Sequence, residues 1–374
     1  MAYSADPGDY TYEELYRVAE LHFVQRSTHQ AIGEKLGIRP RAKVVAMCEA
    51  ARRAGIVHVA IMPSRTAEAG RLRDLAAQVR ERFNLLDCIV VHGRSEMLRS
   101  PLPDNVREVI IDEIARQGAR QLDRRFGEVK RPVLAVTYGF VTRKVTDYLR
   151  PNLGLHRDGL VLAAQGVRKL EMDRFDANNI VRDIARQFGC KYACMPIPAL
   201  VDADDMNVIS NLPLVKPVLK ALDEEANIVL GSLASHHQTD WKPLQDSLQN
   251  ELFHPSDMEA ISGAGGLGNF GGWWFDRLGE PVDYAQRSVV GLGLRRIKAL
   301  VKQRKPVILA VGADPTRIPT LAVALACREP LGNIWIGDEV TARVLLGERE
   351  IECDGIQWRK EEKEILRNLS AARK

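Results

Sequence analysis

Gly263, Gly265 and Gly268 stand in the spacing G-x-G-x-x-G within "GAGGLGNFGG", residues 263–272. Such a loop cradles a dinucleotide pyrophosphate when a buried strand precedes it and a helix follows. Here "HPSDMEAIS" before it is polar and helix-like, and "NFGGWWFDRLGEP" after it cannot start a long helix. The fingerprint fails on context. A glycine-rich loop folded against Trp273, Trp274 and Phe275 fits better, with those aromatics in the core or lining a pocket. Asp276, Asp314 and the pair Asp338–Glu339 are carboxylates that either cap a helix or turn, or hydrogen-bond the hydroxyls of a ligand. Two such carboxylates suit acid–base chemistry, and Lys144 or Lys169 suits a Schiff base, but no spacing selects them, so no catalytic residue is assigned. His236 and His237 in "ASHHQTD" point to opposite faces if the chain is extended, so they read as a loop pair and no metal site is expected. Six cysteines, at 48, 88, 190, 194, 327 and 353, complete no zinc pattern and read as buried or neutral thiols.

The elements that must position these residues fall into two kinds. In residues 1–62 three helical segments follow one another. "TYEELYRVAELHFVQ" places Leu15, Val18, Ala19 and His22 on one face. Ser27 and Gln30 read as a capping box for a second helix carrying Ile32 and Leu36 inward, and Gly37 supplies its left-handed end. "AKVVAMCEAARRAG" puts Val44, Met47, Cys48 and Ala51 on one stripe, and "GIVHVAIMP" reads as a short wing strand. Helix, glycine turn and second helix form the helix-turn-helix pattern, whose second helix enters the major groove by its N-terminal end. Arg39, Arg41 and Lys43 stand at that end, near phosphates and purine edges, so double-stranded DNA is the expected partner. Residues 63–86 read as a helical linker, with Leu72, Leu75 and Val79 spaced either to dimerise the chain or to pack on its own domain.

From residue 87 onward, apolar runs alternate with helical patterns: "CIVVH", "PVLAVTYG", "LVLAAQGV", "YACMPIPAL", "NIVLGSLAS", "PVILAVGA" and "NIWIG". That alternation predicts an α/β fold, a doubly wound and mostly parallel sheet covered on both faces. Ligands of such sheets bind at the carboxyl ends of the strands, which selects residues just after each run. Gly139 to Thr142, Gln165 and Gly166, Gly231 and Ser232, Gly312 to Asp314, and Asp338 with Glu339 are those residues.

Across 374 residues, 45% hydrophobic and 27% charged content match an ordinary globular protein. A formal net charge of +4 is mild for this length, so any nucleic-acid affinity must come from a local patch. "MAYSADPGDYTYEELYRVAE" has no apolar core of a signal peptide and no stretch approaches a membrane span, so a soluble cytoplasmic protein is expected.

Five blocks then occur in one order: "AIGEKLGIRPRAKVVAMCEAARRAGIV", "LAVTYGFVTRKVTDYL", "GAGGLGNFGGWWFDRLGEPVD", "VILAVGADPTRIPTLAVAL" and "IWIGDEVTARVLL". Together they resemble SorC/DeoR-type sugar-responsive bacterial transcription regulators, from about residue 12 to about residue 347. The resemblance implies an N-terminal helix-turn-helix (1–62) joined to an effector-binding and oligomerisation domain similar to sugar-phosphate isomerases (87–350), and the residue pattern adds the linker (63–86) and a charged helical tail (351–374). It implies a homodimer or homotetramer on operator DNA, with a sugar, polyol or sugar phosphate shifting its hold, and no cofactor.

The chain departs from the family pattern in several places. Val45 and Ala46 stand where Ser and Arg are common, Phe140 and Val141 displace the Gly-Arg-Thr or Gly-Thr-Thr of the first effector loop, and Arg317 is the nearest cation where the family has Lys. Thr142 and Arg143 remain within reach of a phosphate, and a non-phosphorylated sugar is an open alternative. The expected effector pocket comprises Gly139, Thr142, Gln165, Gly166, Asp276, Asp314, Arg317 and Asp338. The alternative is a sugar-phosphate isomerase or deaminase-like enzyme.

Overall fold

The computed structural model describes residues 9–57, 67–93, 104–150, 158–167, 174–237, 253–283, 286–351 and 356–371. It divides into two compact units, Met1–Ser64 and Arg65–Lys374.

In the first unit α1 (Tyr12–Ala19) runs on as a π-helical turn (Glu20–Val24), followed by α2 (His29–Leu36) and α3 (Arg41–Arg53). A reciprocal capping box between Thr11 and Glu14 starts α1. The cap of α2 is Thr28, whose hydroxyl accepts from the Ala31 N–H; Gln30 reaches forward to Glu34, so the Ser27–Gln30 box is corrected by one residue. Gly37 ends α2 in the left-handed conformation at φ 67°. Leu15, Val18, Ile32, Val44, Met47, Cys48 and Ala51 close the core of this unit, as the helical spacing predicts. The expected wing strand lies outside the described residues except for Val57 and the residues before it.

The second unit begins with α4 (Ala67–Arg82), then β1 (Asp87–Val91), α5 (Asp104–Glu128), β2 (Val133–Val136), α6 (Phe140–Asp147), β3 (Leu160–Ala163), α7 (Ala177–Phe188) and β4 (Lys191–Ala193). Next come β5 (Leu200–Asp202), α8 (Met206–Ser210), α9 (Lys216–Glu224), β6 (Ile228–Gly231), β7 (Leu233–Ser235), α10 (Pro255–Gly263), β8 (Gly268–Phe270) and β9 (Trp273–Phe275). The rest is β10 (Arg287–Val289), α11 (Leu294–Lys302), β11 (Val307–Ala310), α12 (Ile318–Ala326), β12 (Ile334–Asp338), α13 (Glu339–Leu345) and α14 (Lys360–Ala371).

Seven strands pair in parallel in the order β1-β12-β11-β6-β2-β3-β4. Strands β2, β6, β11 and β12 are buried along their whole length, the pattern of a sheet covered on both faces. The chain winds outward from β2 through β3 to β4 in one direction and from β6 through β11 to β12 in the other. The order reverses between β2 and β6, which makes the carboxyl ends of those two neighbours the topological switch point. A small antiparallel sheet, β7-β8-β9, follows directly from β6 with only Ser232 between.

Leu75 and Val79 of α4 are buried in the main core and Leu72 packs against it. Burying an aliphatic side chain of this size contributes about 1.5–3 kcal/mol, so the apolar face of α4 is committed to its own unit. Among the described residues, no helix is long and apolar enough to cross a membrane. Cys48, Cys88, Cys190, Cys194 and Cys327 are free thiols, and burial raises the pKa of each, to about 11 for Cys48, Cys190 and Cys327. Cys353 lies outside the described residues.

Candidate functional site

A pocket with about 20 Å³ of enclosed volume opens at the switch point. A water needs ~10–15 Å³, so the enclosed part holds about one, and a sugar-sized ligand has to widen it or sit in its open mouth. Three segments converge on it: Tyr138 to Val141 leaving β2, Ser232 to Ala234 leaving β6, and Asn269 with Gly271 from the β8–β9 hairpin; Arg317 closes the lining. The hairpin turns in two residues, Gly271 and Gly272, at φ 59° and 91°. Positive φ at both positions is the two-residue geometry that glycine supplies without strain. A Cβ on Gly271 would lie 3.1 Å from Thr137 Cγ2, so the tip reaches the carboxyl end of β2. The glycine run is therefore a helix end, a strand and a hairpin tip. Phe275 and Trp274 beside it are buried in the core.

In the lining and close behind it, several buried polar atoms have no hydrogen-bond partner among the described residues: Ser232 Oγ and Asn269 Nδ2 in the lining, and Thr137 Oγ1, Thr142 Oγ1 and both amide atoms of Gln165 behind it. Gln165 and Thr142 are fully buried, and Thr137 and Asn269 nearly so. Gln165 Oε1 lies 3.7 Å from where a Cβ on Gly271 would stand, and Thr142 Oγ1 equally far from one on Gly139. The other end of Asn269 is fixed, its Oδ1 accepting from the Gly272 N–H at 3.1 Å. Each buried unpaired group of this kind costs about 1–3 kcal/mol, so a set of them on one cavity marks a place where a ligand or water completes the bonding. Hydroxyls, which both donate and accept, match amide and hydroxyl atoms of both kinds.

Charge enters the pocket through Arg317. Its Nε lies 3.3 Å from Asp314 Oδ2, while Asp314 Oδ1 accepts from the Thr316 N–H and hydroxyl. Burial lowers the guanidinium pKa, Asp314 opposes that, and the nearby Arg107 adds to it. Opposite, α6 starts at Gly139 with no side-chain cap, and its first turn lines the pocket. An uncapped helix start is an anion-favouring element.

Gly139, Asn269 and Arg317 thus line one cavity, with Thr142 and Gln165 directly behind it. The remaining expected positions, Asp276, Gly166, Asp314 and Asp338, are not among the residues that line the cavity. Asp276 organises a turn, its Oδ1 accepting from the Leu278 and Glu280 N–H groups. Gly166 donates to the Val290 carbonyl and packs against the 197–198 backbone. Asp338 caps α13: Oδ1 accepts from the Thr341 N–H at 2.8 Å, and Oδ2 from the Thr341 hydroxyl at 2.8 Å and the Ala313 N–H at 2.9 Å. Burial raises its pKa against the pull of those donors. Ala313 sits at φ 58°, an uncommon conformation for a non-glycine residue, so Asp338 holds the bend that presents Asp314 and Arg317. It positions the pocket without facing it. Glu339 pairs with Arg71 and Arg343, Arg143 with Asp147 and Asp183, and Lys144 with Asp112. Lys169 lies outside the described residues.

Thr137 and Asn269 were not selected from the sequence. Thr137 directly follows the β2 run, and the rule about carboxyl ends reaches it if applied to the first residue after the strand. Nothing local marks Asn269, which arrives only through the fold of the hairpin.

In the helical unit, Arg39 and Arg41 are exposed and Lys43 is half-buried, and none of them forms a salt bridge among the described residues. On α3 the outward positions are Arg41, Ala42, Val45, Glu49, Arg52 and Arg53, with Ala46 turned into the core. Val45 is 39% exposed, an apolar side chain on the face that would meet a groove. Its spacing of four from Arg41 is the signal that would have found it.

Residues 67–347 match the family model described as "Putative sugar-binding domain". The fold is similar to that of the full-length sorbitol operon regulator SorC from Klebsiella pneumoniae, at 17% identity and a TM-score of 0.62 over 89% of this chain and 98% of that one. It is similar to a DeoR family transcriptional regulator from Listeria monocytogenes, at 19% identity and a TM-score of 0.58 over 73% of this chain and 98% of that one. A transcriptional regulator from Streptococcus pneumoniae aligns at 12% identity and a TM-score of 0.60, over 75% and 98% of the two chains. Among curated proteins, none matches the chain.

Proposed function

As the chain belongs to the sugar-binding-domain family, matched over residues 67–347, we propose that it is a DNA-binding transcriptional regulator whose hold on its operator is set by a small sugar, polyol or sugar phosphate. The observation that carries this reading is the cavity at the switch point, backed by buried hydroxyl and amide atoms without partners. Gly139, Thr142, Gln165, Asn269 and Arg317 are the residues we assign to the effector. The uncapped start of α6 facing Arg317 favours an effector with an anionic group, a phosphate or a carboxylate. The described lining residues include no carboxylate, imidazole, thiol or amine, which supports binding over acid–base or Schiff-base catalysis.

Arg39, Arg41 and Lys43 hold the DNA in this reading, with Val45 offering an apolar contact to a thymine methyl. Effector and operator are then two sites coupled through the states of the protein, in the cytoplasm and as a homodimer or homotetramer. The full-length protein is tested by fluorescence anisotropy on a duplex from its own upstream region beside a scrambled duplex, across a salt series. A specific duplex should bind at least about a thousandfold tighter than the scramble. Joint replacement of Arg39, Arg41 and Lys43 by Ala should abolish most of that affinity. The slope of log affinity against log salt should flatten by up to about 0.9 for each phosphate no longer neutralised. Arg317→Gln should leave DNA binding intact while removing the response to the sugar or sugar phosphate that shifts the wild type. Turnover of a sugar phosphate without any DNA binding would replace this reading with an enzyme.

A further inference from the structure

The two histidines after β7 do not diverge. His236 and His237 are both largely buried, their rings 4.1 Å apart, and both approach the fully buried Glu362 of α14. His237 Nε2 lies 2.9 Å from Glu362 Oε1 and 3.1 Å from Oε2, and His236 Nδ1 lies 3.6 Å from Oε1. One ligand atom from each residue falls within 4.8 Å of the other two. His236 Nδ1 is buried without a hydrogen-bond partner, aimed into the same space.

We propose that His236, His237 and Glu362 form a site for one divalent transition-metal ion of the zinc class, which clamps the tail helix α14 to the strand leaving the pocket. Zinc bonds of ~2.0–2.2 Å to nitrogen and oxygen put tetrahedral donor atoms about 3.3–3.6 Å apart, and the donors present bracket that spacing. Two imidazoles and one carboxylate select zinc and its neighbours over magnesium or calcium, with the remaining position left to water. The surroundings already orient the ligands. The Arg359 N–H donates to Glu362 Oε2 at 2.8 Å, and Trp358 packs edge-on to His237. Such supporting contacts are what metal-ligating side chains carry around them. Arg359 in turn bonds the Gly266 carbonyl and Ser262 Oγ, so the cluster joins α14 to the segment that leads into the β8–β9 hairpin. Glu362 lies beyond the span matched by the sugar-binding family, which ends at residue 347, while His236 and His237 lie within it.

A second group of suitable atoms, His22, His29 and Cys48, occupies the helical unit, but His22 Nδ1 is within hydrogen-bond distance of the Ser27 carbonyl. The test therefore uses the full-length chain carrying Cys48→Ala, stripped of metal and dialysed against zinc in excess magnesium. Bound metal is counted by mass spectrometry, and the unfolding midpoint is followed with and without zinc. One zinc per chain and a zinc-dependent rise in the midpoint are expected. His236→Gln and Glu362→Gln should each weaken binding by at least about tenfold. His236→Gln keeps the test decisive if the buried Glu362→Gln chain fails to fold, because the replaced nitrogen has no hydrogen bond to lose. Failure to retain zinc, or equal zinc in parent and folded variants, would overturn the site and leave a plain histidine–carboxylate ion pair.

Discussion

Two buried polar clusters sit at the carboxyl edge of the same parallel sheet and differ in one respect. At the end of β12, Asp338 accepts three hydrogen bonds and has no solvent exposure. At the ends of β2, β3 and β6, Thr137 and Gln165 are as deeply placed and Ser232 is half-buried, yet their side-chain polar atoms have no partner among the described residues. Position after a strand is common to both. Satisfaction separates them: a saturated carboxylate is structure, and the unsatisfied amides and hydroxyls around a cavity are what the proposed effector site rests on.

Substitutions sharpen that contrast, because opposite signs are expected. Asp338→Ala strands the Thr341 N–H and hydroxyl and the Ala313 N–H, and should cost about 3–4 kcal/mol by urea denaturation. It should also weaken effector binding, since the Ala313 bend presents Arg317. Gln165→Leu removes two unpartnered polar atoms. The effector-free chain should hold its stability or gain up to about 1–2 kcal/mol, while calorimetry with the effector shows roughly tenfold weaker binding. A loss of stability there as large as for Asp338→Ala would erase the distinction and make Gln165 structural. Thr137→Val, nearly isosteric, should act the same way more gently, with little change in melting temperature and an affinity loss of about three- to fivefold.

The strands were legible because a sheet buried on both faces demands unbroken apolar runs, and each run from "CIVVH" to "NIWIG" contributes to it. Glycine punctuation and helical spacing likewise exposed α2, its Gly37 terminus and the inward stripe of α3. The pocket was legible only in part. Gly139, Gln165 and Arg317 follow strands of the main sheet, so the rule about carboxyl ends reaches them. Asn269 belongs to a hairpin whose neighbours are set by tertiary folding, and no local pattern carries that information. Asp338 obeyed the same rule as Gln165 but proved to be a cap, because sequence shows where a carboxylate stands and not which donors have reached it first. The histidines lie in a loop, as expected, but they do not diverge. Opposite faces follow from an extended chain, whereas His236 and His237 lie in a bend beyond β7.

The pairing of β1 with β12 has a consequence for biosynthesis. Asp87 lies beside Ile334, and β12 is the neighbour that gives β1 its place in the sheet. A ribosome that has already released β1 must therefore make most of the remaining chain before that edge can be covered. Until then an apolar strand with open N–H and C=O groups is exposed to other nascent chains, the situation in which holding chaperones matter most. A message cut short before codon 334 would yield a product that keeps β2, β3 and β6 but leaves β1 bare, and its fate should be aggregation or proteolysis.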